Sequence, residues 1–214
     1  GTAPMSSIET LSKPDRAALL DVARASIRHG LRHGQALEVD PTDYPETLRP
    51  SRATFVTLEI GDQLRGCIGA LVARQPLVQD VAAHAFAAAF EDPRFPELRE
   101  NEFPKLDIHI SVLSPPKPLS FSSEDELLAQ LRPGVDGLII QFRHYRATFL
   151  PAVWEQLPDP YVFLAQLKQK AGLPLDFWSP ELSAERYAAE YFGDADLTDS
   201  PPSTRRNRRR SAGV

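Results

Sequence analysis

The apolar positions of this chain change period several times, and each change marks an element. Leu19, Leu20, Ala23, Ile27 and Leu31 recur at helical spacing. Ser12 and Pro14 supply an N-cap and an early first-turn proline, and Gly30 and Gly34 are expected to close the helix. Residues 35 to 52, with Pro41, Pro45 and Pro50, read as an extended crossing segment. Ala53 to Ile60 is rich in β-branched and apolar types, Gly61-Asp62 offers a type II′ hairpin turn, and Gln63 to Gly69 is the returning strand. Pro76 opens an alanine-rich helix that ends near Glu91, with Leu77, Val81, Ala85 and Ala88 on one face.

Strict alternation follows. Leu106, Ile108, Ile110 and Val112 point one way and Asp107, His109 and Ser111 the other, until Pro115-Pro116 ends the strand. Ser123 and Glu126 form a capping box for a short helix reaching Leu131. Gly137 to Arg143, a turn at His144-Tyr145, and Arg146 to Leu150 make a second hairpin. Pro151 to Leu157 reads as a helical turn, and Asp159-Pro160 caps a helix through Ala171 with Gly172 as its stop. Residues 184 to 192 fit either a strand or a helix. Strands and helices thus mix without a βαβ rhythm, which predicts an α+β fold with largely antiparallel pairing. The expected organisation is a flexible segment over 1–11, with Gly1 to Pro4 a cloning remnant ahead of Met5, one domain over 12–198, and a disordered tail over 199–214.

Composition narrows the class. The 214 residues are 42% hydrophobic and 25% charged, as in an ordinary soluble globule, and no run of 18 apolar residues predicts a membrane span. No secretory pattern opens the chain, and a single cysteine allows no internal disulfide, so a reducing cytoplasm is the expected location. The net charge of −5 hides an asymmetry: without the arginines at 205, 206, 208, 209 and 210 and the acid at 199, the remainder carries −9. An acidic body argues against a broad nucleic-acid surface, which leaves only the arginine-rich tail for RNA or anionic lipid; a solvated tail without a specific role is the plainer reading.

The candidate chemistry centres on Leu64-Arg-Gly-Cys-Ile-Gly69. A thiolate at Cys67 is a natural nucleophile, and Arg65, on the same side of a regular strand and roughly 7 Å away, could favour it or bind an anionic substrate. Gly66 and Gly69 would let a ligand approach the backbone. Two hairpin registers stay open. A two-residue turn puts Cys67 opposite Val56 in a packed environment, whereas a three-residue loop puts it opposite Thr57 and Arg65 opposite Glu59 as an ion pair. A lone cysteine in a strand is also commonly an inert core residue. His109 could serve as base for the thiol or be merely hydrogen-bonded. Asp92 and Arg94 could order a loop around a pocket or only shape a turn. His29 and His33 have metal-compatible spacing but no third ligand nearby, His84 with Asp80 reads as a helix-surface pair, and His144 as a turn residue, so no metal is assigned. No P-loop, GxGxxG, nucleophile elbow or CxxC is present, and no cofactor is expected.

Ala53-Thr-Phe-Val-Thr-Leu58, the 64–69 hexapeptide, Asp92-Pro-Arg-Phe95, Ile108 to Pro116, Asp136-Gly-Leu-Ile-Ile140, Phe149-Leu-Pro151 and Lys170-Ala-Gly172 together resemble the AMMECR1 domain family. The resemblance spans roughly residues 12 to 192 and implies an α+β fold with a larger and a smaller lobe sharing one core, the cysteine motif lying near the cleft between them. It also implies a relative of the AmmeMemoRadiSam system, in which this domain accompanies a Memo-like protein and a radical SAM enzyme. The family commonly has Thr after the motif, where this chain has Ala70. It carries over Arg65 and Cys67 as suspected site residues without a reaction. The leading expectation is an enzyme or enzyme subunit acting on a small anionic substrate, with Cys67 as nucleophile or redox thiol, Arg65 orienting the anion and His109 or Asp92 assisting proton transfer. The alternatives are a non-catalytic module docking a Memo-like or radical SAM partner, and an RNA-associated protein using the tail.

Overall fold

The computed structural model describes residues 10–197, so the expectations for the N-terminal segment and the arginine-rich tail lie outside the described residues. Helix α1 (Lys13–His33) begins at a capping box in which the Ser12 hydroxyl accepts from the Asp15 amide and the Asp15 carboxylate accepts from the Ser12 amide. It ends at Gly34, whose φ of 68° is the left-handed C-cap conformation. Gly30 does not end the helix: a Cβ there would meet the Phe86 and Phe90 rings of α2 (Leu77–Phe90), so Gly30 lets two helices cross closely. The segment between α1 and the first strand contains two short 3₁₀ turns, Pro41–Asp43 and Glu46–Leu48.

The first sheet is antiparallel, in the order β2 (Gln63–Gly69), β1 (Thr54–Ile60), β3 (Asp107–Leu113), β8 (Ala189–Gly193). Val56, Leu58, Ile108 and Ile110 are fully buried and join Leu19, Ala23 and Ile27 of α1 and Val81, Ala85 and Ala88 of α2 in the larger core. The second sheet, β4 (Lys117–Pro118), β7 (Ser183–Tyr187), β5 (Gly137–Phe142), β6 (Tyr145–Phe149), is covered by α3 (Glu124–Gln130) and α4 (Pro160–Ala171). There Leu138, Ile140, Phe163, Leu167 and Trp154 form the smaller core, with the indole and the Phe163 ring stacked 3.7 Å apart. A small cluster of Ala53, Leu113, Ile139 and Tyr187 bridges the two lobes. The ambiguous stretch 184–192 is extended throughout and changes sheet at Ala188, β7 belonging to one lobe and β8 to the other. The fold is α+β.

Three local expectations change. Gly61 and Asp62 have φ of 56° and 66°, so the hairpin turn is type I′, which requires positive φ at both central residues, rather than II′. The second hairpin turns at Arg143-His144, one residue earlier than expected, with Phe142 paired to Tyr145 and Arg143 at φ 54°. Ser123 caps α3, but Glu126 accepts from the Ser122 amide and hydroxyl, so the capping box is not reciprocal.

The larger change is in the first hairpin. Ile60 pairs with Gln63 and Glu59 with Leu64, the register of a two-residue turn, yet Leu58 pairs with Gly66 and Thr57 with Cys67. Arg65 is left without a partner as a β-bulge. The turn thus follows one expected register and the cysteine the other. Gly66 lies directly beneath α2, where a Cβ would run into the Ala88 carbonyl. Because that obstacle is backbone, Gly66→Ala is expected to destabilise the fold by about 1–3 kcal/mol, as overpacking does, measurable as a lowered denaturant midpoint with an unchanged slope.

Candidate functional site

Pairing places Cys67, Thr57, His109 and Gly193 in one row across β2, β1, β3 and β8. Directly paired residues share a face of a sheet, and this face is the one turned away from α1 and α2. The adjoining row on the same face holds Glu59 and Asp107. The Cys67 thiol is partly exposed and 3.3 Å from the Thr57 hydroxyl. The polar register therefore holds, and Cys67 is not packed against Val56.

The backbone of Cys67 is held from outside the sheet. As an edge strand, β2 leaves the Cys67 amide without a strand partner, and it donates to Asp92 Oδ2 at 3.0 Å. Asp92 is buried and also accepts from the Arg94 amide at 3.1 Å, Nε at 3.0 Å and Nη2 at 2.8 Å. The Arg94 guanidinium, more than the opposing cost of burial, holds the Asp92 carboxyl well below the usual carboxylate range, helped by the two backbone amides. A carboxylate so firmly ionised is a poor proton acceptor, so the role expected of Asp92 in proton transfer gives way to positioning.

Arg65 is also committed. Its Nε donates to Glu102 Oε2 at 2.8 Å and its Nη2 to the Pro96 carbonyl at 2.8 Å, with the Phe95 ring 5.9 Å from the guanidinium carbon. The bulge breaks strand alternation and sends this side chain to the loop after α2, so its ion-pair partner is Glu102 rather than Glu59. Gly66 and Gly69 do not open the backbone to a ligand, because the Ala88 carbonyl and the Phe55 ring occupy the space beside them. His109 stands two strands from the thiol, about 10 Å by strand spacing, with Thr57 between them. Its Nε2 lies 3.0 Å from Asp107 Oδ2, and its ring stacks on Tyr191 at 5.2 Å. Gly193 is required here, since a Cβ would stand 2.6 Å from His109 Nδ1.

Two features were not anticipated. Lys170, at the end of α4, donates to the Thr148 carbonyl at 2.8 Å and lies 5.2 Å from the Phe149 ring centre. Desolvation of its ammonium end lowers its pKa, with the Cys67 sulfur opposing and the Arg94 cation reinforcing that shift. Lys170 of one lobe thus comes within electrostatic range of Cys67 and Arg94 of the other. The family-like string Lys170-Ala-Gly172 contains the residue, but only tertiary packing brings it to the thiol. The second is Asp80 with His84, expected on a helix surface. Asp80 is buried and accepts from the Thr54 hydroxyl at 2.6 Å and Gln75 Nε2 at 3.0 Å, with His84 Nδ1 at 3.2 Å. Burial alone would raise its pKa, but the hydrogen bonds from His84, Thr54 and Gln75 prevail and lower it.

Beside the His109 end of the Cys67 row, the lobes flank an open cleft of about 1000 Å³ lined by Glu59, Asp62, Asp107 and His109 on one side and by Pro151, Glu155 and Gln156 on the other. No helix among the described residues is long and apolar enough to cross a membrane.

A two-lobed α+β domain with a cysteine at the junction of its lobes is the class that the fold defines. The AMMECR1 family profile matches residues 20–192, and the chain belongs to that family. A protein of Methanothermobacter thermautotrophicus is 39% identical over 184 residues, covering 85% of this chain and 95% of the relative. Protein MJ0810 of Methanocaldococcus jannaschii is 35% identical over 178 residues, covering 81% and 87% respectively. The crystal structure of the uncharacterised protein PH0010 from Pyrococcus horikoshii superposes with a TM-score of 0.74 at 34% identity, covering 81% of this chain and 88% of that one.

A carboxylate whose pKa is depressed on folding contributes stability above its unfolded value, and that stability is lost as pH falls toward the folded value. Asp92→Asn is therefore expected to cost roughly 1–3 kcal/mol near neutral pH and to flatten the acid limb of the stability curve below about pH 4. Denaturant titrations of both proteins across pH 2.5–7 check this.

Proposed function

We propose that this AMMECR1-family protein is an enzyme or enzyme subunit that binds a small anionic substrate between its lobes, beside Cys67 acting as nucleophile or redox thiol. The observation that carries the reading is that Arg94, whose Nη2 donates to the Cys67 carbonyl, and Lys170, from the other lobe, both lie within electrostatic range of the Cys67 sulfur. Two cations beside the thiol suit a carboxylate or phosphate on the substrate. The anion-orienting role expected of Arg65 passes to these two residues, because Arg65 is neutralised by Glu102. Asp92 fixes the backbone beneath the thiol, and the Thr57 hydroxyl is the hydrogen-bond partner of its sulfur. A working thiol of this kind suits a reducing compartment such as the cytoplasm.

Paired alkylating reagents test the reading. Iodoacetate, an anion, is expected to modify Cys67 faster relative to neutral iodoacetamide than it modifies a free thiol. Lys170→Met should reduce that preference by roughly fivefold, the worth of about 1 kcal/mol of charge interaction. A rate ratio equal to that of a free thiol and unaffected by Lys170→Met would reject the anion site. Affinity for a Memo-like or radical SAM partner that survives Cys67→Ser, alongside such a result, would favour the docking module instead.

A further inference from the structure

We propose that Glu59, Asp107 and His109 form a binding site for a divalent first-row transition-metal ion on the wall of the interlobe cleft. One ligand atom from each residue lies within 4.8 Å of the other two. Glu59 and Asp107 come from paired positions of β1 and β3, and His109 follows Asp107 by two residues on the same face. The Asp107 Oδ2 to His109 Nε2 distance of 3.0 Å is that of neighbouring ligands: two donors so spaced, each about 2.1 Å from a metal, subtend close to a right angle.

The charge balance around the trio also favours a cation. Glu59 and Asp107 are like charges directly opposite one another, an arrangement that destabilises a sheet unless something neutralises it. Glu59 is half-buried, and its carboxylate has neither a hydrogen bond nor an ion pair. His109 is only 8% exposed and lines the cleft with its Nε2 toward Asp107. Asp62 and Glu155 add two more carboxylates to the cleft, and no lysine or arginine lines it among the described residues. The His109 ring is held in place by Tyr191 on its face and Gly193 at its edge, so it loses little freedom on ligation.

The donor set selects the ion. One imidazole nitrogen with two carboxylate oxygens suits Mn²⁺, Fe²⁺ or Zn²⁺, whereas Ca²⁺ and Mg²⁺ prefer oxygen alone. Three protein ligands leave positions for water or for a substrate oxygen entering the cleft, the pattern of a reactive rather than a closed structural site.

Mn²⁺ is the probe of choice because it disfavours a soft sulfur ligand such as Cys67. Titration of the full chain, followed by loss of the free-ion electron paramagnetic resonance signal, is expected to show one saturable site. Glu59→Gln and Asp107→Asn, which preserve shape, should each weaken binding by at least about tenfold. Glu155→Gln, which removes a cleft carboxylate outside the trio, should leave one site with affinity within about twofold of wild type. Spin-echo spectra of the bound ion should carry nitrogen modulation that His109→Gln abolishes. Absence of saturable binding up to millimolar Mn²⁺, unchanged affinity in Asp107→Asn, a tenfold loss in Glu155→Gln, or a wild-type spectrum without nitrogen modulation would each overturn the site. The alkylation ratio at Cys67 is a separate readout, so either reading can fail without the other.

Discussion

One unpaired residue, Arg65, decides which way the thiol of this protein faces. The type I′ turn at Gly61-Asp62 sets a register that, carried on without interruption, would oppose Cys67 to Val56 on the core side. Inserting Arg65 shifts every later residue of β2 by one place and brings Cys67 to Thr57 on the open face. The bulge endures because the charge of its side chain is paired, though Nη1 stays buried without a partner, and because its neighbour fits. The guanidinium is neutralised by Glu102 and bonded to the Pro96 carbonyl, and Gly66 fits beneath Ala88 only for want of a Cβ. Losing Glu102 would strand a buried charge, a cost of several kcal/mol, so the loop after α2 and the register of β2 depend on each other. The same loop supplies Asp92, whose carboxylate satisfies the edge amide of Cys67 and denies it to an incoming strand.

From that register follows a division of charge along one sheet face. Toward Cys67 the flanking groups are the cations Arg94 and Lys170; one row away, at Glu59 and Asp107, they are acids. Thr57 and His109 lie between the two ends. In the reduced dielectric of a cleft, such a gradient favours an anionic group toward Cys67 and a cationic one toward Glu59 and Asp107.

Much of the fold was legible in the sequence, and the reason is local. The caps at Ser12 and Asp159, the stop at Gly172 and the alternation through Asp107 to Ser111 are signals carried by a few adjacent residues. The candidate site was legible only in part. Cys67, Asp92 and Arg94 do come together, with the last two carried by a short loop that returns to β2. The bulge was not legible, since nothing in Leu64-Arg-Gly-Cys distinguishes a regular strand from one that lodges an arginine under a helix-to-strand loop. Lys170 was missed because its place is set by packing of the smaller lobe, and Glu59 because its partner at Asp107 depends on β1–β3 pairing across 48 positions of chain. Gly66 and Gly69 invited a ligand reading that fits exposed glycines, whereas here helix backbone and an aromatic ring fill the vacancy.

How firmly the two lobes are held determines whether the cleft is built or must close. The chain passes between sheets twice, after β3 at Ser114 and before β8 at Ala188, and both crossings are at one spot. There the Ser114 amide donates to the Ala188 carbonyl and the Ala188 amide to the Ser114 hydroxyl, each at 2.8 Å. Pro115 and Pro116 restrict backbone rotation on one side of this clasp, and Ala53, Leu113, Ile139 and Tyr187 pack against each other beside it. A hinge needs residues free to change φ and ψ, and this junction offers few. Lys170 and Glu155 therefore keep a nearly fixed distance from the face of the first sheet. The cleft is preorganised, so affinity for a ligand that fits it is not spent on drawing the lobes together.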